Sequence, residues 1–574
     1  MKIISYKPDE INKYYTISGF ILFFLGVLIK YPPAYDYTIV KNITGFLFSI
    51  FLVVIFITQN KRFSFNKYIF TPFLLFFLWT VISAYTSPFK HGASKQLEEY
   101  LLYFTIFLCA TNCKIEKNWF NIWILAGVSA SILAIFQFFS SLRYPVSTFG
   151  NPNFFAGHLM MLISISFSHI FLKENNIEKR LLYTLFFLIL LLALILTRSR
   201  SAIFATLFGL STVMFLLNRK GNFIKKWGGY IILLISLLFL FPVIKTWYLT
   251  NVRLFLWKGT WQMIKARPIF GWGLGNFVFF YPRFRIKEYF LQSESTPTTT
   301  HAHNEYLHLW SEIGIIGLIL FLTLLAIIFY SLTKEAKKDD FQKILSFGIV
   351  GAIASVILDN IFSTNLRNPS TSMYFWFLIG LVSNMAKQEE TDIDISKVLW
   401  YTILLLSVIM VVFTSFYRVL PEVYLKRGIW AKEERRDEEA IKNYLVVSSL
   451  NPNNYVSRYK LAYVYGETGY LDDAIKVYTE INDKIFPHFA KLDANLGTLY
   501  LRKEEYKKAL YHYRWQEWFN PYDIDVLCGI ASIHFIYTED INQGVEYLNK
   551  VLNLDPQNEY ANRIMKMLKD EGKI

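Results

Sequence analysis

Apolar windows of roughly 15 to 22 residues, about the length a helix needs to cross a bilayer core, recur from the N-terminus to about residue 420. The chain is 54% hydrophobic and carries 53 Phe, 37 Tyr and 14 Trp. A soluble protein of this length has a more polar surface to cover, so these residues must face lipid. The windows predict thirteen spans, at 15–30, 38–58, 67–85, 98–113, 119–140, 153–173, 180–197, 200–217, 229–247, 311–331, 341–363, 370–385 and 398–418. From Pro421 to Ile574 the chain turns charged and rich in Tyr, Lys and Glu, with no window long and apolar enough to span. The expected architecture is therefore all-α: a polytopic bundle of about 12–13 membrane helices over 1–420, followed by a helical region over 421–574.

A net charge of +15 raises the question of nucleic acid, but in a membrane protein the placement of the cations comes first. With the N-terminus inside, alternate loops and flanks on the inner side hold about 21 Lys and Arg, against roughly eight on the other side. That asymmetry predicts an inside N-terminus, no role in binding nucleic acid, and a C-terminal region outside the cytoplasm. The first window lacks a small-residue cleavage site and runs through Lys30 and Tyr31 toward the next, so it reads as a retained helix. Cys109 and Cys113 lie one turn apart and Cys528 is alone, a pattern that suits neither a structural disulfide nor a metal site.

The C-terminal region repeats. "NPNN" at 451, "FPHF" at 486, "NPYD" at 520 and "DPQN" at 555 recur at intervals of 34 to 35. Between them a small residue returns in "EEAIKNY" (Ala440), "DDAIKVY" (Ala474), "KKALYHY" (Ala509) and "NQGVEYL" (Gly544). Period, small residue and proline together are those of tetratricopeptide repeats, with two helices per unit crossing closely at the small residue and a proline ending the second. About four units fit, forming an α-solenoid expected to offer a concave surface to a protein partner.

One connection between spans is long, at about 248–310, and function should be sought there. Its first part, "NVRLFLWKGTWQMIKARP", reads as an amphipathic interfacial helix carrying Arg253 and Trp257 one turn apart. "PIFGWGLGNF" then sets Gly271, Gly273 and Gly275 at alternate positions, a tight turn with exposed amides; no strand precedes it, so it is a poor nucleotide signature. "TTTHAHNEYLHLWSEIGIIGL" opens the next span. A helix from about Asn304 aligns His303, Leu307, Trp310 and Gly314 on one face and turns His308 some 140 degrees away. His301 lies just upstream.

Other polar residues fall at the same membrane depth. "ILTRSRSAIFA" places Arg198 and Arg200 between two spans with almost no loop, where ionisable groups are costly unless paired or functional. Gly150 to Asn153 make a turn into a span, and Asp359 and Asn360 lie near the outer end of another, where a buried carboxylate calls for an Arg or His partner. Taken singly, each reads as snorkelling, a helix start or structural pairing. As a set they offer guanidinium donors suited to phosphate oxygens and an imidazole base for a hydroxyl. There is no Walker loop and no Asp-rich metal motif, so the expected chemistry uses no cofactor, metal or ATP; an already activated diphosphate donor fits.

"TRSRSA", "RLFLWKGTWQMIKARPIFGWGLGNF" and "HAHNEYLHLWSEIGIIGL" resemble the O-antigen ligase and polymerase superfamily of bacterial envelopes over roughly residues 15–385. The resemblance implies twelve membrane helices, a large periplasmic loop, and metal-free transfer of a glycan from undecaprenyl diphosphate to a lipid or protein acceptor. It places the family's arginine after the seventh span on Arg200, its loop arginine on Arg253, its catalytic histidine on His303 and a supporting acid on Asp359. Arg198 and His301 are further candidates. The thirteenth span and the repeats depart from the family. The expected protein is a glycosyltransferase of the bacterial cytoplasmic membrane with its site and repeats on the periplasmic side. A polymerase of lipid-linked repeat units is the nearest alternative; a transporter or an envelope scaffold is the alternative of another class. Many transporters bind near the bilayer midplane, whereas these polar residues collect at one face.

Overall fold

A computed structural model describes residues 8–36, 38–140, 144–218, 222, 227–231, 252–286, 288–289, 299–333, 339–386, 391–393 and 396–574. The chain divides into two compact units: Met1–Thr250 with Arg267–Gly275 and His301–Leu420, and Asn251–Ala266 with Asn276–Thr300 and Pro421–Ile574. The long connection is thus itself divided, its 251–266 and 276–300 segments lying in the same unit as the repeats.

The first unit is an all-α bundle, and the chain is a multi-pass membrane protein. Eight helices among the described residues are long and apolar enough to cross a membrane: Val40–Thr58, Lys67–Thr86, Lys117–Phe139, Ile177–Leu196, Arg200–Leu217, Glu305–Ser331, Asp340–Asp359 and Ser396–Glu433. Four other expected spans are helical but fall short by that measure. Asn12–Leu28 and Pro369–Met385 are short; Lys90–Asn112 and Pro152–His169 carry too many polar residues. The expected span 229–247 lies outside the described residues from 232 onward.

Side chains start several of these helices. Asn66, Asn151, Asn176, Asp339 and Asn368 each accept a backbone N–H from the first turn, and Pro follows Asn151 and Asn368, where a missing N–H costs nothing. Small residues then let the helices approach. A Cβ on Gly380 would sit 2.8 Å from Phe107 O, and one on Gly348 2.4 Å from Ser168 Oγ. Lys41, a cation of the outer flanks by the expected orientation, is fully buried; its ammonium donates to Gly26 O and Val27 O and closes the end of the first helix. One short antiparallel ladder, Phe63–Phe65 with Thr391–Ile393, is the exception to helix here.

In the second unit four helix pairs follow one another: Leu420–Glu433 with Asp437–Leu450, Tyr455–Glu467 with Leu471–Glu480, Leu492–Arg502 with Tyr506–Phe519, and Ile524–Ile533 with Ile541–Leu554. Glu559–Asp570 closes the series. The four repeat prolines follow the second helices, and Ala440, Ala474 and Ala509 are fully buried at the crossings. Gly544 faces the Phe535 ring, and Gly497 and Gly529 face Tyr513. Segments of the long connection pack within the same unit: Phe279 meets Phe486 at 4.2 Å between ring centroids, and Gly259 of the Val252–Ala266 helix lies against Phe284 and Tyr281.

Candidate functional site

The Glu305–Thr333 helix is not one straight rod. Gly314 sits at φ +70° inside it, so the regular hydrogen-bond ladder breaks there. The segment from Pro268 to Leu274 fills the break. Ile315 N donates to Pro268 O at 3.0 Å, Gly273 N to Glu312 O at 2.8 Å and Trp272 N to Ser311 O at 2.9 Å, while Leu274 N donates to Ser83 Oγ at 3.0 Å. Trp79 Nε1 adds a bond to Ile313 O at 2.8 Å. Backbone meets backbone so closely that a Cβ on Gly314 would lie 1.9 Å from Ile269 O, and one on Gly271 2.3 Å from Glu312 O. The "GWGLG" segment therefore spends the Trp272 and Gly273 amides on the helix break, not on an exposed turn, and Gly314 does not continue the face that begins at Leu307.

Below the break lies a buried ionic network absent from the sequence reading. Arg367 Nε donates to Glu305 Oε1 at 2.9 Å and its Nη1 to Glu312 Oε2 at 2.7 Å, with all three side chains at most 3% exposed. His308 Nδ1 accepts from Ala302 N at 3.1 Å, so its proton sits on Nε2, which faces Glu312 Oε1 at 3.3 Å. Burial works against the Arg367 charge, and the two carboxylates more than offset it, moving its pKa upward. Burial pushes the His301 imidazole well below its usual range, and the neighbouring Arg367 charge adds to that. A signal was available: Glu305 and Glu312 are two turns apart on one face of an apolar helix, which requires a cation.

His303 stands at the mouth of this arrangement, half-buried and at φ +51°. Asn304 caps the helix, its Oδ1 accepting from Leu307 N at 3.0 Å. Glu305 N donates to Asn360 O at 2.8 Å and Tyr306 Oη to Ile357 O at 2.8 Å, so the His303 segment is tied to the end of the Asp340–Asp359 helix. Asp359 is buried there. Its Oδ2 accepts from Ser363 Oγ at 2.5 Å and Asn365 Nδ2 at 2.7 Å. Arg367, the arginine near at hand, goes to Glu305 and Glu312. The "GNPN" turn belongs to the same end of the unit: Thr371 Oγ1 donates to Phe154 O, and a Cβ on Gly157 would touch the Asn365 amide.

Arg200 begins the Arg200–Leu217 helix and is exposed, where the helix dipole also favours an anion. That helix packs antiparallel to Asp340–Asp359: Gly209 meets Ser355, and Val213, one turn on, meets Gly351. Continuing the pair backward from Gly209 and forward from Ser355 brings the Arg200 and Asp359 ends to one end of the unit. Arg198 is exposed at φ +57°, its guanidinium 5.5 Å from the centre of the Tyr144 ring. Arg253 lies in the other unit, half-buried on the Val252–Ala266 helix. Among the described residues no cluster of His, Cys, Asp and Glu could hold a metal.

A polytopic helical membrane unit, with Arg200, His303 and Asp359 toward one end, precedes an α-solenoid. Residues 185–322 match the family model described as O-Antigen ligase, and residues 524–558 match that of a tetratricopeptide repeat. The chain thus carries an O-antigen ligase family region followed by C-terminal tetratricopeptide repeats, in agreement with the resemblance drawn above. The matched region runs from the helix before Arg200 through His303 to beyond Gly314. No curated protein matches the chain. Among solved structures, the crystal structure of the yeast Tom70 matches at 14% identity over 79% of this chain and 89% of its own, with a TM-score of 0.23, too low to support any conclusion.

Proposed function

We propose that this chain is a membrane glycosyltransferase of the ligase type, moving a glycan from an undecaprenyl-diphosphate donor to a lipid or protein acceptor on the outer face of the bacterial cytoplasmic membrane. The observation that carries this reading is the coincidence of the O-antigen ligase family match with the segment that braces His303. His303 takes the proton of the acceptor hydroxyl as that oxygen attacks the anomeric carbon. Arg200, at a helix N-terminus, and Arg253, assigned by the resemblance alone, hold the diphosphate and stabilise the charge it gains as it leaves. Removing one such donor costs roughly 3–4 kcal/mol of transition-state stabilisation in comparable sites. Asp359, Arg198 and His301 support from the same end of the first unit; neither ATP nor a metal enters the reaction.

The test uses the purified full chain with an undecaprenyl-diphosphate-linked glycan and scores release of free undecaprenyl diphosphate. His303→Ala is expected to insert normally and lose release by two orders of magnitude or more. Full activity in that variant would remove His303 as the base. A single transfer to a non-glycan acceptor identifies a ligase, and a ladder of lengthening glycans identifies a polymerase.

A further inference from the structure

The third helix pair carries a feature that the transfer reaction does not use. Along Tyr506–Phe519, Lys507, Tyr511, Arg514, Trp515 and Trp518 recur at helical spacing, one stripe extending about 16 Å at 1.5 Å per residue. The stripe lines one wall of a cavity of about 810 Å³, within the size range of ligand sites. Tyr537 from the following pair and Arg283 from the long connection complete the wall. Trp518 is 56% exposed and Tyr511 60%, an unusual investment of aromatic surface on a charged solenoid. Arg514 is braced by Glu517 at 3.0 Å, which fixes its guanidinium in place. Among the described residues no carboxylate lines the cavity.

We propose that this groove binds an acidic oligosaccharide, the glycan that the first unit transfers. The inference rests on the transferase reading and names its substrate class. Pyranose rings present an apolar C–H face that packs flat on indole and phenol rings, and a row of such rings suits a linear chain of sugars. Arg283, Lys507 and Arg514 would pair with carboxylate or phosphate groups along that chain. An acidic peptide is the weaker occupant. Its backbone N–H groups need acceptors, and the lining side chains supply only the Tyr511 and Tyr537 hydroxyls. Sugar hydroxyls and acid groups can accept throughout. Arg283 adds a second argument, because it stands on the long connection while every other lining residue stands on the repeats. This wall is where the appended repeats and the transferase loop meet within one unit.

The experiment titrates the full chain in detergent with an oligogalacturonate, a maltodextrin of equal length, a poly-glutamate peptide and phosphatidylglycerol vesicles, following tryptophan fluorescence. The oligogalacturonate should bind at least tenfold more tightly than the maltodextrin or the peptide. Trp518→Ala and, separately, Lys507→Glu should each weaken it by tenfold or more. Both positions are exposed, and an unchanged melting temperature verifies the fold. Equal binding of the neutral glycan, preference for the peptide or the vesicles, or indifference to both substitutions overturns the proposal. Undecaprenyl diphosphate release is measured in parallel to separate the two readings. Release without oligogalacturonate binding refutes the groove and leaves the transferase standing, whereas binding without release does the reverse.

Discussion

Two sets of glycines, one in each unit, do opposite work. In the membrane unit Gly314 and Gly271 bring main chain against main chain and let a loop close a broken helix. In the repeat unit Gly544 and Gly497 receive rings, those of Phe535 and Tyr513. Charge divides the same way. Arg367, Glu305 and Glu312 are buried together, whereas Arg436 with Glu434 and Glu439, or Lys503 with Asp472, pair at the surface of the repeats. Lipid offers no hydrogen bonds, so a break or a charge within the bilayer must be satisfied by the protein itself. Beside water the solenoid can leave polar groups to the solvent and spend its small residues on side-chain packing.

Breaking the buried network should have the largest effect. Arg367→Met leaves two carboxylates buried without their cation, a change that costs about 3–5 kcal/mol in other buried pairs. Thermal unfolding in detergent should show a large loss or no folded protein. Replacing all three charges at once, with Glu305→Gln and Glu312→Gln added, should recover most of that loss. If the single variant melts like the wild type, the ions are not a structural brace.

Gly314→Ala comes next. Its Cβ requires Ile269 O to move and its φ suits glycine, so the backbone alone costs about 1–3 kcal/mol. Displacement of the Pro268–Leu274 segment should also disturb the start of the same helix, lowering glycan transfer together with stability. Gly544→Ala sharpens the contrast. There the obstacle is a ring that can shift, the overpacking costs about 1–3 kcal/mol, and the loss should stay within the repeats. Hydrogen exchange of residues 524–570 should quicken while glycan transfer persists. A loss of transfer in Gly544→Ala equal to that in Gly314→Ala would erase the distinction.

What could be read beforehand follows from how local each signal is. The repeats were legible because Ala440, Ala474, Ala509 and Gly544 mark a period along the chain, and the prolines mark it again. Most spans were legible from hydropathy alone. The helix over Lys90–Asn112 was legible as a helix, although its polar first turns keep it below the apolarity of its neighbours. The break at Gly314 was not, because it depends on a carbonyl at Ile269, and a regular helical face through Gly314 was the natural expectation. Arg367 reads in sequence as an ordinary loop cation, since its partners lie 55 and 62 residues away. Asp359 was legible as a buried acid, while Ser363 and Asn365, four and six residues on, are partners that the hydropathy pattern does not single out. The proposal for His303 rests on the resemblance and on its place beside the Asn304 cap, a local feature.

The smallest expected effect concerns an acid in the repeats that is buried like those of the membrane unit. Asp493 is buried and accepts from His488 Nδ1 at 2.6 Å and His512 Nδ1 at 2.8 Å. Burial pushes its carboxyl up, but the two imidazoles more than reverse that and hold it below its ordinary 3.8. A carboxyl depressed by folding contributes stability that is complete above 3.8 and is lost as pH falls through its lower folded value. Between neutrality and about pH 4 this group should therefore leave the unfolding of the repeats unchanged. Below that, stability should fall, and Asp493→Asn, which cannot titrate, should remove this acid limb at the cost of a weaker repeat unit at neutral pH. Identical acid limbs in the variant and the wild type would mean that the His–Asp–His contact does not set the acid response of the solenoid.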